Sequence, residues 1–315
     1  MNHFFKLLII FIFVFPTDAF SEITFDANGK WETSFDYPEE CSIRGVDNQT
    51  NCGNVQNDGT NWNWGGGTIR DGNTYTQAVA DANYPGGGGG LGARFWNYDG
   101  HNTQSGPIRV SFPNPQKELW IRWYMRYQEG FQWRSSEGGT LHRIHYNKTL
   151  YLRTGASGAD VIPGLWDYFQ FRAQGDPKGN WSYPGGGWND SFGPGHSDGQ
   201  WHCFEVYIKM NSSLGSSDGL MRWWVNGVLY AEQTDIRYDN NNATSHEGFT
   251  YFTFNNNQNY VSNADGPIGL TYAYIDYDDM VIYNQTPPNS DEHGNHFIGP
   301  ISSMAPPRGL IINVQ

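Results

Sequence analysis

The chain is poor in charge and in cysteine, and it has no apolar run long enough to span a membrane. Charged residues make up only 16% of its 315 residues, too few to clothe the polar faces of long amphipathic helices. Cations are scarcer still: 19 Lys and Arg stand against 32 Asp and Glu, a formal net charge of −13. That sign excludes nucleic acid as a general partner, because phosphate binding draws on a basic surface. The apolar run Leu7 to Phe15 falls well short of the roughly 20 residues a helix needs to cross a bilayer. It follows Lys6 and gives way to Thr17-Asp18-Ala19-Phe20-Ser21, so residues 1–21 read as a secretory signal peptide. The expectation is a secreted protein, extracellular or periplasmic, with no membrane attachment after cleavage.

Three cysteines are present, and none has a metal-binding spacing. Cys41 and Cys52 are near enough in sequence to close a short loop in an oxidising compartment, which predicts a disulfide between them. Cys203 lies within the alternating stretch Trp201-His202-Cys203-Phe204-Glu205-Val206-Tyr207-Ile208 and reads as a strand residue rather than a reactive thiol.

What the chain does have is glycine, 39 residues of it, and an aromatic content of 16% that supplies material for one large core. Residues 22–90 are loop-rich, with Asn61-Trp62-Asn63-Trp64-Gly65-Gly66-Gly67 and the run Gly86 to Gly90. A regular core is expected over 91–285 and a proline-containing tail over 286–315. Strands are predicted at 91–97, 108–112, 119–127, 140–146, 149–153, 168–172, 202–210, 220–225, 228–233, 249–254 and 273–283, without convincing helices. Asn226-Gly227 between two apolar runs is the strongest hairpin signal, since both residues tolerate the positive φ of a type I′ turn. The class is all-β: a jelly-roll β-sandwich of two antiparallel sheets.

Within Leu119 to Tyr127 the odd positions Leu119, Ile121, Trp123 and Met125 are apolar, while Trp120, Arg122, Tyr124 and Arg126 alternate with them. This pattern predicts a core face and an aromatic, cationic working face. Aromatic rings stack on sugars and guanidinium forks pair with carboxylates, so Arg122, Tyr124 and Arg126 are candidate contacts for an acidic glycan. Between Lys117 and Arg153 stand seven of the chain's 19 cations, with His142 and His145, against three acids. Arg143 belongs to this group. Such a stretch, gathered on one sheet, would focus a potential that attracts a polyanion.

Several segments, in order, resemble the concanavalin A-like jelly-roll polysaccharide lyases that act on alginate and glucuronan. They are Glu137-Gly138-Gly139-Thr140-Leu141-His142, Phe169-Gln170-Phe171-Arg172, Trp181-Ser182-Tyr183, Trp201-His202, Asp218 through Gly227, and Tyr274-Ile275-Asp276-Tyr277-Asp278-Asp279-Met280. The resemblance covers residues 90–285. It implies a lyase that cleaves a uronate-containing polysaccharide by β-elimination, with an acidic polysaccharide as partner, a monomeric state and no required cofactor. In those lyases a Gly-Gly-Lys-Leu strand supplies a catalytic lysine, and here Thr140 occupies that position. A strand with arginine and a polar residue two positions earlier is matched by Gln170 and Arg172. A paired-tyrosine strand is matched by Trp181 and Tyr183, with only the second tyrosine kept.

Elimination needs a group that neutralises the uronate carboxylate, a base for the C5 proton and an acid for the leaving oxygen. Arg172 and Gln170 suit the first role. Residues two apart on a strand share a face, so His142 replaces the missing lysine as base, with Tyr183 or Tyr146 as acid. Two readings stand beside this one. A lectin-like binding module needs only aromatic platforms such as Trp181 and hydrogen bonds, and Thr140 favours it. A glycoside hydrolase needs two placed carboxylates, and the Glu-x-Asp-x-x-Glu string of hydrolases with this fold is missing. Asp276 and Asp278 are the candidates for holding a structural calcium ion through oxygen ligands.

Overall fold

The computed structural model describes residues 22–37, 40–44, 60–61, 74–98, 102–103, 108–129, 148–155, 158–163, 169–173, 180–182, 199–256, 258–259 and 272–301. In chain order its strands are β1 (Lys30–Thr33), β2 (Cys41–Arg44), β3 (Thr60–Asn61), β4 (Thr74–Val79), β5 (Gly92–Tyr98), β6 (Asn102–Thr103), β7 (Arg109–Gln116), β8 (Glu118–Tyr127), β9 (Lys148–Arg153) and β10 (Gly158–Pro163). They continue with β11 (Phe169–Ala173), β12 (Asn180–Ser182), β13 (His202–Lys209), β14 (Gly219–Val225), β15 (Val228–Ile236), β16 (Phe249–Asn256), β17 (Gln258–Asn259), β18 (Tyr272–Tyr283), β19 (Asn289–Ser290) and β20 (His296–Phe297). Among the described residues the one α-helix is a single turn, Ala243–His246, capped where Asn242 Oδ1 accepts the Ser245 N–H at 3.1 Å. No helix among them is long and apolar enough to cross a membrane.

The strands form two large antiparallel sheets. The nine-stranded sheet runs β15-β14-β13-β8-β18-β5-β4-β2, with β1 also paired to β18, and the seven-stranded sheet runs β12-β11-β10-β9-β16-β7-β3. This is the jelly-roll sandwich that the alternating pattern predicts. The loop-rich N-terminal part nonetheless supplies β1, β2 and β4 to one sheet and β3 to the other, as short strands between glycine-rich connections. The segment 140–146, expected as a strand, lies outside the described residues.

Period-two alternation fixes which residues enter the core. Leu119, Ile121, Trp123 and Met125 on β8 are fully buried with Phe204, Val206 and Ile208 of β13 and Ile275 and Ile282 of β18. They meet Val110, Leu150, Leu152 and Phe252 from the seven-stranded sheet. Each such side chain contributes roughly 1.5–3 kcal/mol when removed from water. The β14–β15 hairpin turns at Asn226 and Gly227 with φ of +51° and +83°, the left-handed pair a type I′ turn requires.

Glycine in the 86–90 run has a specific use at two positions. A Cβ on Gly90, whose φ is +127°, would lie 1.7 Å from Asp36 Oδ1, and that oxygen accepts the Leu91 N–H at 2.8 Å. A Cβ on Gly87 would lie 1.8 Å from Asp279 Oδ2. The loop therefore packs its bare backbone against two carboxylates.

Candidate functional site

Each sheet has an outer face turned away from the core, and the two faces differ in what covers them. On the nine-stranded sheet the C-terminal segment 289–301 lies across β8, β13 and β14, held by side chains rather than by a β-ladder. Glu205, on β13, accepts the N–H groups of Ile298 at 2.6 Å and Gly299 at 2.9 Å. Trp120 Nε1 donates to the His296 carbonyl at 2.9 Å and Trp224 Nε1 to Asp291 Oδ2 at 2.9 Å. Beneath it Trp120, Tyr207, Trp224, Val281 and Ile298 form a second apolar cluster. Burial pushes the Glu205 carboxyl up to about 7, against the two backbone donors and Arg122, which pull it down.

This cover changes the fate of two of the three residues expected on an open working face. Arg122 is 7% exposed and Tyr124 fully buried. Arg122 donates to the carbonyls of Gly299 at 3.2 Å and Asp279 at 3.3 Å, and the Tyr124 hydroxyl accepts the Ile301 N–H at 2.7 Å while its ring stacks on Tyr84 at 3.9 Å. Arg126 donates to Asp276 at 2.5 and 3.0 Å. The alternation is as read, but chain some 175 residues further on covers Arg122 and Tyr124, while Arg126, partly exposed, is tied to Asp276 of β18.

Asp276 does not fit a calcium site either. Arg94 chelates it at 2.7 and 3.0 Å in addition to Arg126, so two guanidinium charges already surround the buried carboxylate and would repel a cation. Desolvation pushes the Arg94 guanidinium down, but the hydrogen bond and charge of Asp276 outweigh it and raise it overall. Asp278 accepts the Tyr84 N–H at 2.6 Å and the Asp279 N–H at 2.8 Å, and burial lifts its carboxyl to about 8. No group of three or more metal-liganding side chains exists among the described residues.

The seven-stranded sheet presents a different outer face. Its register aligns Asn61, Arg109, Thr253, Tyr151, Asp160, Arg172 and Asn180 in one row across all seven strands. The adjoining row holds Ser111, Tyr251, Arg153 and Gly158. Arg109 Cζ lies 3.9 Å from the centre of the Tyr251 ring, and its Nε donates to Ser111 Oγ at 2.8 Å. Arg153 Nη1 reaches the Tyr151 hydroxyl at 3.3 Å. Burial pushes the Arg109 guanidinium down from its ordinary value. Four strand steps separate Arg109 from Arg172, about 19 Å at roughly 4.8 Å per step.

Gln170 pairs with Ile162 and Ser182, two residues along β11 from Arg172 and in the same phase of the alternation. Trp181 pairs with Phe171, and that row continues through Val161 to the core residue Leu150, out of phase with Arg172. His142, Arg143, His145, Tyr146, Tyr183 and Cys52 lie outside the described residues. Arg153 belongs to the basic stretch 117–153, whereas Arg109, Tyr151 and Tyr251 are not among the residues expected at the site, although the alternation in Arg109-Val110-Ser111-Phe112 and Tyr251-Phe252-Thr253 carries the signal. Cys203 is a buried free thiol that burial pushes up to about 12, in keeping with a strand residue.

No protein family and no curated protein matches the chain. Among solved structures it is similar to the alginate lyase Aly36B, at 17% identity and a TM-score of 0.49, over 81% of this chain and 96% of that one. It is also similar to the endo-β-1,4-glucuronan lyase of the fungus Trichoderma reesei, at 13% identity and a TM-score of 0.40, over 79% and 96%. A third is the marine PL-14 alginate lyase of Aplysia kurodai, at 9% identity and a TM-score of 0.37, over 61% and 82%. At such overlaps the activity has to be argued from the residues themselves.

Proposed function

We propose that this is a secreted polysaccharide lyase that lays a uronate-containing chain across the outer face of the seven-stranded sheet and cleaves it by β-elimination. The observation that carries this reading is the stacking of Arg109 on Tyr251, both half-buried, with Arg109 in the row of Arg172 and Tyr251 beside Arg153 in the adjoining row. Guanidinium groups pair with uronate carboxylates, and phenol rings offer flat, half-apolar surfaces to pyranose rings. The row is long enough for several sugars.

In this reading Arg172 and Gln170 neutralise the carboxylate of the reacting unit, which acidifies its C5 proton. His142 takes that proton, and Tyr183 or Tyr146 protonates the departing glycosidic oxygen, with Arg143 and His145 holding neighbouring units. The C5–H electrons form the new double bond as the C4–O bond breaks, so no water is consumed and no cofactor takes part. A Cys41–Cys52 disulfide ties the N-terminal strands in the oxidising compartment, and the protein works as a monomer.

Incubation with alginate, glucuronan or a glycosaminoglycan should produce the ultraviolet absorbance of an unsaturated uronate, which hydrolysis does not generate. His142→Ala should abolish that signal while leaving retention on a polyuronate column nearly intact, because a base acts on the transition state. Thr140, in place of lysine, favours a second reading as a binding module. Retention by the wild-type protein without absorbance would establish that reading and end the first.

A further inference from the structure

Among the described residues β19 and β20 pair only with each other, so the segment 289–301 has no β-ladder to the sheet beneath it. Asp291 closes the turn between the two strands by accepting the N–H groups of His293 and Asn295, both at 2.9 Å. The hairpin is therefore complete in itself and can leave the sheet with its own hydrogen bonds intact. Side chains of β8, β13 and β14 hold it down: Arg122, Trp120, Tyr124, Glu205 and Trp224. Under its C-terminal end lies a cavity of about 320 Å³, lined in part by Ile298 and Ile301, so the segment is incompletely packed there. A unit with few ties and loose packing opens at a lower free energy than the body it lies on.

Glu205 sits at the centre of the attachment, and it can titrate. It is 1% exposed, with Oε1 accepting the Ile298 N–H and Oε2 the Gly299 N–H. Its register partners are Arg122 on β8 and Trp224 on β14. The charged groups acting on it are Arg122 and, from the segment itself, Asp291. Along β13 its neighbours on the same face are Cys203, a thiol that burial pushes up to about 12, and Tyr207, whose hydroxyl donates to Glu118 at 2.5 Å. Burial of the carboxyl outweighs Arg122 and the two backbone donors, so the closed segment favours a proton that Glu205 releases once water reaches it.

We infer that the segment 289–301 is a pH-dependent cover, held shut in acid and opening as a unit toward alkaline pH to bare Trp120, Tyr207 and Trp224. The folded value of Glu205, about 7, lies above the ordinary 4.5, so its contribution to closure is complete below about pH 4.5. That contribution is lost as pH rises through 7. The three rings, all buried when the cover is shut, form with Ile298 the apolar cluster that opening takes apart.

Hydrogen–deuterium exchange of the mature full-length protein, read by mass spectrometry from about pH 5 to about pH 8.5 and corrected for the intrinsic pH dependence of exchange, tests this. Amides of 295–301 should exchange before those of β8, and their opening should increase on the order of a hundredfold across the range. Glu205→Gln should flatten that response. The histidines of the segment, His293 and His296, are untouched by the substitution, so a response that survives it belongs to them. Trp120→Phe, which removes the donor to the His296 carbonyl, should raise opening at every pH and keep the slope. It preserves the test if the first variant fails to fold. Exchange of the segment together with β8 at every pH, a wild type without pH response, or a response that persists in Glu205→Gln would overturn the inference.

Discussion

Arg122 and Arg126 on the nine-stranded sheet direct their donors to Gly299, Asp279 and Asp276, whereas Arg109 and Arg153 on the seven-stranded sheet lie half-buried against Tyr251 and Tyr151. The residue types are the same, and so is the alternation that brings them to an outer face. The difference is in what the guanidinium groups meet: on the first face the carbonyls of Gly299 and Asp279 and the Asp276 carboxylate, on the second tyrosine rings. What an arginine does on a sheet surface thus depends on chain far away in sequence.

The largest expected effect belongs to the seven-stranded face. Arg172→Ala should lower turnover of a susceptible polyuronate by about a hundredfold or more, the loss that follows removal of one preorganised charge-stabilising donor. Initial rates of unsaturated-uronate formation measure it. An unchanged rate would move the site away from β11.

Next comes the tie under the C-terminal segment. Glu205→Ala removes the acceptor of two backbone N–H groups, Ile298 and Gly299, and should destabilise the fold by about 2–5 kcal/mol in urea unfolding. The same group sets a pH dependence. Its folded value, about 7, lies above the ordinary 4.5, so the folded state binds the extra proton between those values. Its stabilising contribution is therefore complete below about pH 4.5 and lost as pH rises through 7. Asp278, lifted from 3.8 to about 8, works in the same direction. Stability curves of wild type and Glu205→Gln should lie closest below about pH 4.5 and shift relative to one another as pH rises, the wild type losing stability that the variant keeps. Parallel curves would contradict the assignment.

The smallest effect is expected at Arg222, whose ion pair with Glu232 at 2.5 Å sits at the surface of the nine-stranded sheet. Arg222→Ala should cost no more than about 1 kcal/mol of stability. It should leave polyuronate binding alone.

The fold was legible because alternation in Leu119 to Tyr127 and the Asn226-Gly227 turn are local signals that burial and backbone geometry enforce directly. The site was half legible. The cluster of cations between 117 and 153 is continuous in sequence, but topology divides it: β8 enters one sheet and β9 the other, so Arg122 and Arg153 end on opposite sides of the molecule. Gln170 and Arg172 stayed in phase with the polar row, while Trp181 fell into the phase of Leu150. Nothing local announces that residues 289–301 return to cover β8, because Glu205 and Trp120 become anchors only when that segment arrives.

The most direct test of this division is the affinity of a polyuronate for two double variants at one fixed, low salt concentration. Arg109→Ala with Arg153→Ala alters the seven-stranded face, and Lys209→Ala with Arg222→Ala makes the same change of charge on the nine-stranded sheet. The first pair should lose about a hundredfold or more in affinity, from two charge-assisted contacts, and the second less than about twofold. Equal losses, or a greater loss from the second pair, would contradict the assignment of the polysaccharide to the seven-stranded face.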